Sequence, residues 1–134
     1  MNIRNSAKAL IIQQEKALFI RCVDEEGDFY LLPGGGQEYG ERLEQTVKRE
    51  CLEEISVEVQ GGDLVFIREY IGKNHEFASF DYELHQVDFI FECKIVGDDS
   101  PQLGLNPDSD QKGVAWLPIN CLESFRIYPS RLKK

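Results

Sequence analysis

Glu50, Glu53 and Glu54 stand at i, i+3 and i+4 in a stretch free of proline. On a helix, at ~100° per residue, these three carboxylates fall within an arc of about 100° and so share one patch. Like charges at i, i+4 repel and weaken an isolated helix. A hard divalent cation with oxygen ligands, Mg²⁺ or Mn²⁺, is the natural compensation. Such an ion binds a few carboxylates, keeps waters and takes substrate phosphates as further ligands. Arg49, four residues before Glu53, is spaced to pair with that carboxylate and orient it. The plain alternative is a solvated acidic face. Such a face is more often opposite the apolar stripe and of mixed sign. Here the stripe Leu43, Val47, Cys51 and Ile55 lies beside the carboxylates.

Ahead of the helix, Leu32-Pro33 runs into Gly34-Gly35-Gly36. Glycines adopt backbone angles closed to other residues. A backbone without side chains can also come close to a metal or phosphate. A lone glycine run is weak evidence, but this one stands at a fixed distance from the carboxylate helix. Gly34, Gly35 and Gly36 are therefore candidate substrate-binding positions.

The segment from Gly35 to Val57 resembles the Nudix box, G-x5-E-x7-R-E-U-x-E-E-x-G-U, where U is a bulky aliphatic residue. Gly35, Glu41, Arg49, Glu50, Glu53 and Glu54 fill its glycine and charged positions in register. Two positions depart. Cys51 stands where an aliphatic residue is usual, and a buried cysteine can serve as a small apolar group. Ser56 stands where glycine is usual, at what should be the helix C-terminus. Trp116-Leu117-Pro118 and the surrounding strands are also similar to these hydrolases. The resemblance implies a Nudix-type α/β/α sandwich with a mixed β-sheet, and a Nudix pyrophosphohydrolase. Glu50, Glu53 and Glu54 would be metal ligands, with Glu50, Glu53 and Arg49 carrying the catalysis. Glu50 would be a ligand or the base that orients water, and Glu41 would support the helix. The implied substrate is a nucleoside diphosphate linked to another group, such as a nucleotide sugar or a nucleoside triphosphate. Members of the family are often dimers, so a homodimer is a further expectation.

The chain of 134 residues is expected to form one domain over residues 1–134. Its formal charge of −9 argues against a nucleic-acid polymer or an anionic membrane as partner. An acidic protein that acts on phosphates needs a metal or local cations. Lys8 or Arg4 could meet a phosphate, although isolated surface charges are more often merely solvated. Cys22, Cys51, Cys93 and Cys121 form no C-x-x-C pair, which fits reduced thiols in the cytoplasm. No apolar run is long enough to span a bilayer.

Strands are expected at Ala7–Ile12, Ala17–Cys22, Phe29–Leu32, Val57–Val59, Asp63–Ile71, Glu83–Val96 and Val114–Leu117, with a helix from about Gly40 to Ile55. In the Glu83–Val96 strand, Ile90 interrupts the polar row, which predicts a central strand covered on both faces. Helix and strands together give an α/β class with a mixed sheet. Gly72 to Asp81 is expected as a loop whose Phe77 and Phe80 could stack on a base or plug the core. Gly97 to Gly113 is expected as an acidic loop, with Asp108 and Asp110 as candidates for a late carboxylate. His75 and His85 are left outside the catalytic set. Two other functions remain: a catalytically inactive Nudix-fold nucleotide-binding module, and a structural domain with solvated glutamates.

Overall fold

The computed structural model describes residues 3–71 and 84–128. The expected loop from Gly72 to Asp81, with His75, Phe77 and Phe80, lies outside these residues. In chain order the elements are β1 (Ile3–Gln13), β2 (Lys16–Asp24), β3 (Gly27–Leu31), β4 (Gly34–Gly36), α1 (Leu43–Ile55), β5 (Val59–Ile71), β6 (His85–Ile95), β7 (Gln111–Pro118), a 3-10 turn (Ile119–Ser124) and β8 (Ile127–Tyr128).

β1 and β2 form a hairpin through Gln14 and Glu15, both left-handed at φ 51° and 65°. Two consecutive positive φ values match the twist of a two-residue hairpin. The two strands pair only near that turn and then separate. The segment from β3 to β4 bridges the gap. β3 pairs antiparallel with β2, the Ala9 N–H donates to the Pro33 carbonyl at 2.8 Å, and β4 pairs antiparallel with β1. On its other edge β1 lies parallel to β6, which in turn pairs with β5. On its other edge β2 pairs with β7. The result is a mixed eight-stranded sheet, in the α/β class.

Alternation along β2 shows why both faces are covered. Leu18, Ile20 and Cys22 join a core with Ala7, Ala9 and Ile11 of β1 and Val47, Cys51 and Ile55 of α1. Ala17 and Phe19 point the other way, to Tyr30, Leu32, Ile90, Leu117 and Ile127, with Leu122 and Phe125 packed on them. Each fully buried Val, Leu, Ile or Phe contributes roughly 1.5–3 kcal/mol. The sheet is thus a layer between α1 and the residues around the 3-10 turn. Ile90 is buried within β6, between β1 and β5, as a central strand requires.

Several expected boundaries move. The helix begins at Leu43, because Gly40 is left-handed at φ 83° and Arg42 is extended. Gly34–Gly36 is a strand, because β1 supplies partners for its backbone. Gly61 and Gly62 do not break β5; the ladder slips there instead, between Gly61 and Leu64 and again before Phe66. The acidic loop ends earlier, at the start of β7. β8, only two residues long, had no periodicity to betray it.

Candidate active site

α1 is amphipathic as its spacing demands. Val47, Cys51 and Ile55 are buried on the sheet, together with Thr46, while Leu43 packs at the core margin. The Cys51 thiol is pushed well above its ordinary range, first by burial, so it is an apolar filler here. With that face fixed, Glu50, Glu53 and Glu54 all line one cleft of about 520 Å³. Its opposite wall comes from Gly104, Leu105, Asn106, Pro107, Asp108 and Gln111.

Each carboxylate is held differently. Glu54 accepts the Gly34 N–H at 2.7 Å and faces the Gln111 side-chain amide at 3.4 Å. Its pKa is raised, chiefly by burial, against the lowering effects of the Gly34 hydrogen bond and the Lys8 charge. Glu50 lies against β4 and accepts from Arg49 at 2.9 Å. A β-carbon built on Gly35 would come within 2.6–2.7 Å of the Glu50 carboxyl atoms. Gly35 is therefore the position where only glycine lets the carboxylate approach. Glu53 is the exposed member, its side chain 60% accessible.

Arg49 ties the helix to the chain before it. Its Nε and Nη2 donate to both Glu41 carboxylate oxygens at 2.8 and 3.1 Å, and Nη2 also donates to the Gly36 carbonyl at 3.0 Å. The expected Glu53 contact is the long one, at 3.5 Å. The planar guanidinium matches a carboxylate in a fork, and Glu41 presents that fork. Thr46 Oγ1 adds a hydrogen bond to Glu41 at 2.7 Å. Arg49 first, then Thr46, holds the Glu41 pKa down at about 2.

The segment facing the helix is docked on its C-terminus. The Gln102 N–H donates to the Ile55 carbonyl and the Gly104 N–H to the Glu54 carbonyl, at 3.0 and 2.9 Å. These bonds satisfy carbonyls that a helix end leaves unpaired. Asp108 lines the cleft. Asp110 instead gives its backbone carbonyl to the Val23 N–H at 3.0 Å. His85 lies at the start of β6, 3.2 Å from Glu69. Gln111 and Gly104 were not singled out by sequence, since neither carries a motif and both reach α1 only through the fold.

The donor set suits a hard cation: three carboxylates, one of them desolvated and only two of them paired with Arg49. Their present orientations are set by protein partners, Arg49 for Glu50 and Gly34 for Glu54. Among the described residues, no three His, Cys, Asp or Glu groups come together closely enough to enclose an ion. The chemistry of the donors fits Mg²⁺ or Mn²⁺; the geometry is that of a cleft wall.

A mixed sheet carrying a glycine strand and a carboxylate helix is the arrangement of the Nudix fold. The family model for the NUDIX domain matches residues 2–133, and the chain belongs to that family. Among solved structures it is similar to a MutT NUDIX hydrolase from Burkholderia pseudomallei, with TM-score 0.74 and 21% identity, covering 99% of this chain and 96% of that one. A MutT protein from Methanosarcina mazei Go1 gives TM-score 0.72 and 20% identity, covering 98% and 88%. An ADP-ribose pyrophosphatase from Streptococcus suis 89-1591 gives 0.60 and 20%, covering 95% and 81%. At these identities the likeness shows the fold. No curated protein matches the chain. Family and fold together make it a Nudix-domain protein. No helix among the described residues is long and apolar enough to cross a membrane.

Proposed function

We propose that this chain hydrolyses the diphosphate linkage of a nucleoside diphosphate joined to another group, using Mg²⁺ or Mn²⁺ held by Glu50, Glu53 and Glu54. The observation that carries this is the single cleft lined by all three carboxylates, with the glycine strand against Glu50 and Glu54. A divalent ion there would supply Lewis acidity toward phosphoryl oxygens and lower the pKa of water. The protein's own part is positional. The Gly34 N–H fixes one Glu54 oxygen, and Arg49 fixes Glu50 as ligand or as the base that orients the attacking water. Glu41 holds Arg49 in place. Gly34 and Gly35 lie behind the carboxylates, at Glu54 and Glu50, and the Gly34–Gly36 strand would meet the substrate from that side. Structural neighbours described as an ADP-ribose pyrophosphatase and a UDP-X diphosphatase support this substrate class. The free thiols of Cys22, Cys51, Cys93 and Cys121 support a cytoplasmic setting. The whole chain acts as one domain in this scheme.

The test is hydrolysis of ADP-ribose and of a simple phosphate monoester, side by side in ¹⁸O water, with Mg²⁺ and with EDTA. The expected result is two monophosphates from the diphosphate, label in one of them, only when metal is present. A comparable rate on the monoester, or turnover that survives EDTA, would overturn the proposal. Binding without turnover would make the chain a nucleotide-binding module.

A further inference from the structure

Lys8 lies in mid-β1, opposite Gly34 in the β1–β4 ladder. Gly34 is also the residue that donates to Glu54. A β-carbon built on Gly34 would come within 2.7 Å of the Lys8 Cα and 2.9 Å of its Cδ. The aliphatic stem of Lys8 therefore lies directly across the glycine, and no larger residue could share the place.

The other side of Lys8 is open. It lines a second cavity of about 150 Å³ with Leu32, Arg68, Gln86, Asp88 and Ile90. In that cavity Arg68 already faces Asp88 at 3.8 Å, and the Gln86 amide donates to Asp88 at 2.7 Å. Lys8 is half-buried, yet among the described residues it has no ion pair. A partly desolvated ammonium without a partner is costly to keep. The chain thus places a cation in the second cavity, with its stem across the glycine whose N–H holds Glu54, in a protein whose formal charge is −9.

We propose that Lys8 is a substrate-contacting residue, its ammonium binding the phosphate that is turned away from the Glu50, Glu53 and Glu54 wall. This deepens the diphosphate-hydrolase reading and rests on it. A charge-assisted hydrogen bond from lysine to a phosphate oxygen is among the stronger polar contacts. It would also fix which phosphate of the linkage faces the carboxylates. Lysine acts here as a point charge, so arginine should replace it in large part.

The experiment uses the full chain and methylenediphosphonate, a diphosphate mimic that cannot be hydrolysed. Its binding in the presence of Mg²⁺ is measured by calorimetry for wild type, Lys8→Met and Lys8→Arg. Mn²⁺ binding alone is measured by electron paramagnetic resonance. Lys8→Met should weaken diphosphonate binding about tenfold, and Lys8→Arg should stay within about threefold of wild type. Mn²⁺ alone should bind Lys8→Met as tightly as wild type or more tightly, since a nearby positive charge is gone. A merely structural lysine would move both affinities the same way. Wild-type diphosphonate affinity in Lys8→Met would overturn the assignment, and so would joint loss of both ligands without rescue by arginine. A wild-type protein that neither binds methylenediphosphonate nor cleaves ADP-ribose would instead overturn the hydrolase reading beneath it.

Discussion

Ser56 closes α1 in the left-handed conformation, at φ 60° and ψ 28°. A β-carbon in that region costs roughly 1 kcal/mol, the scale by which glycine is preferred there. Ser56→Gly removes the cost. The opposing term is the extra freedom of glycine in the unfolded chain, about 0.4–1 kcal/mol. The Ser56 hydroxyl has no hydrogen bond among the described residues, so its removal loses no partner. The balance is a gain of about 0.3 kcal/mol, or a rise of about 1 °C in Tm for a chain of this size. Urea unfolding of wild type, Ser56→Gly and Ser56→Ala checks this, read as a shift in midpoint at constant m. Alanine keeps the β-carbon and should bring no gain. A loss of stability in Ser56→Gly, or an equal gain in Ser56→Ala, would refute the idea that left-handed strain is what the serine carries.

Glu53→Gln and Glu54→Gln should each lower turnover at saturating Mg²⁺ by at least about 10–100-fold, the scale that even outer-shell changes produce at metal sites. Neither should cost stability in urea, since Glu53 is exposed and glutamine at 54 can still accept the Gly34 N–H; near-wild-type turnover in both would sink the ligand assignment. The Glu41 pKa is depressed in the fold, to about 2 from an ordinary 4.5. Its stabilisation is therefore complete above that ordinary value and is lost as pH falls from there toward the folded value. Urea midpoints between pH 5 and 2 should fall in wild type and fall less in Glu41→Gln.

The carboxylate helix was legible because one spacing carries both its apolar stripe and its charges. Ser56 was legible as a left-handed end because only a box position that favours glycine implies that geometry. Arg49 was only half legible. Its i, i+4 neighbour Glu53 is visible in sequence, but the stronger partner Glu41 is brought back by the turn before the helix. Gly34–Gly36 was not legible as a strand because glycine carries no pattern of its own; pairing with β1 decides the matter. Gly61 and Gly62 read as a break for the same reason, whereas a long strand absorbs them as a slip in register. The wall opposite the carboxylates stayed hidden because Gln102 and Gly104 reach α1 through backbone atoms, which leave no mark on residue type.

β1 and β6 run parallel over nine residue pairs, from Ile3 with His85 to Ile11 with Cys93. Most of the chain lies between these partners, so the ladder that holds the sheet together closes only after a long excursion of the polypeptide. Closing a long loop costs entropy before any contact repays it, and such topologies fold slowly. The glycine strand and the carboxylate helix, by contrast, are near neighbours in sequence. Order of assembly should follow: β1 through α1 condenses early, and β6 zips in late. Val47→Ala should then slow folding, while Ile90→Val should chiefly speed unfolding. Stopped-flow chevrons that place both changes on the same limb would contradict this sequence of events.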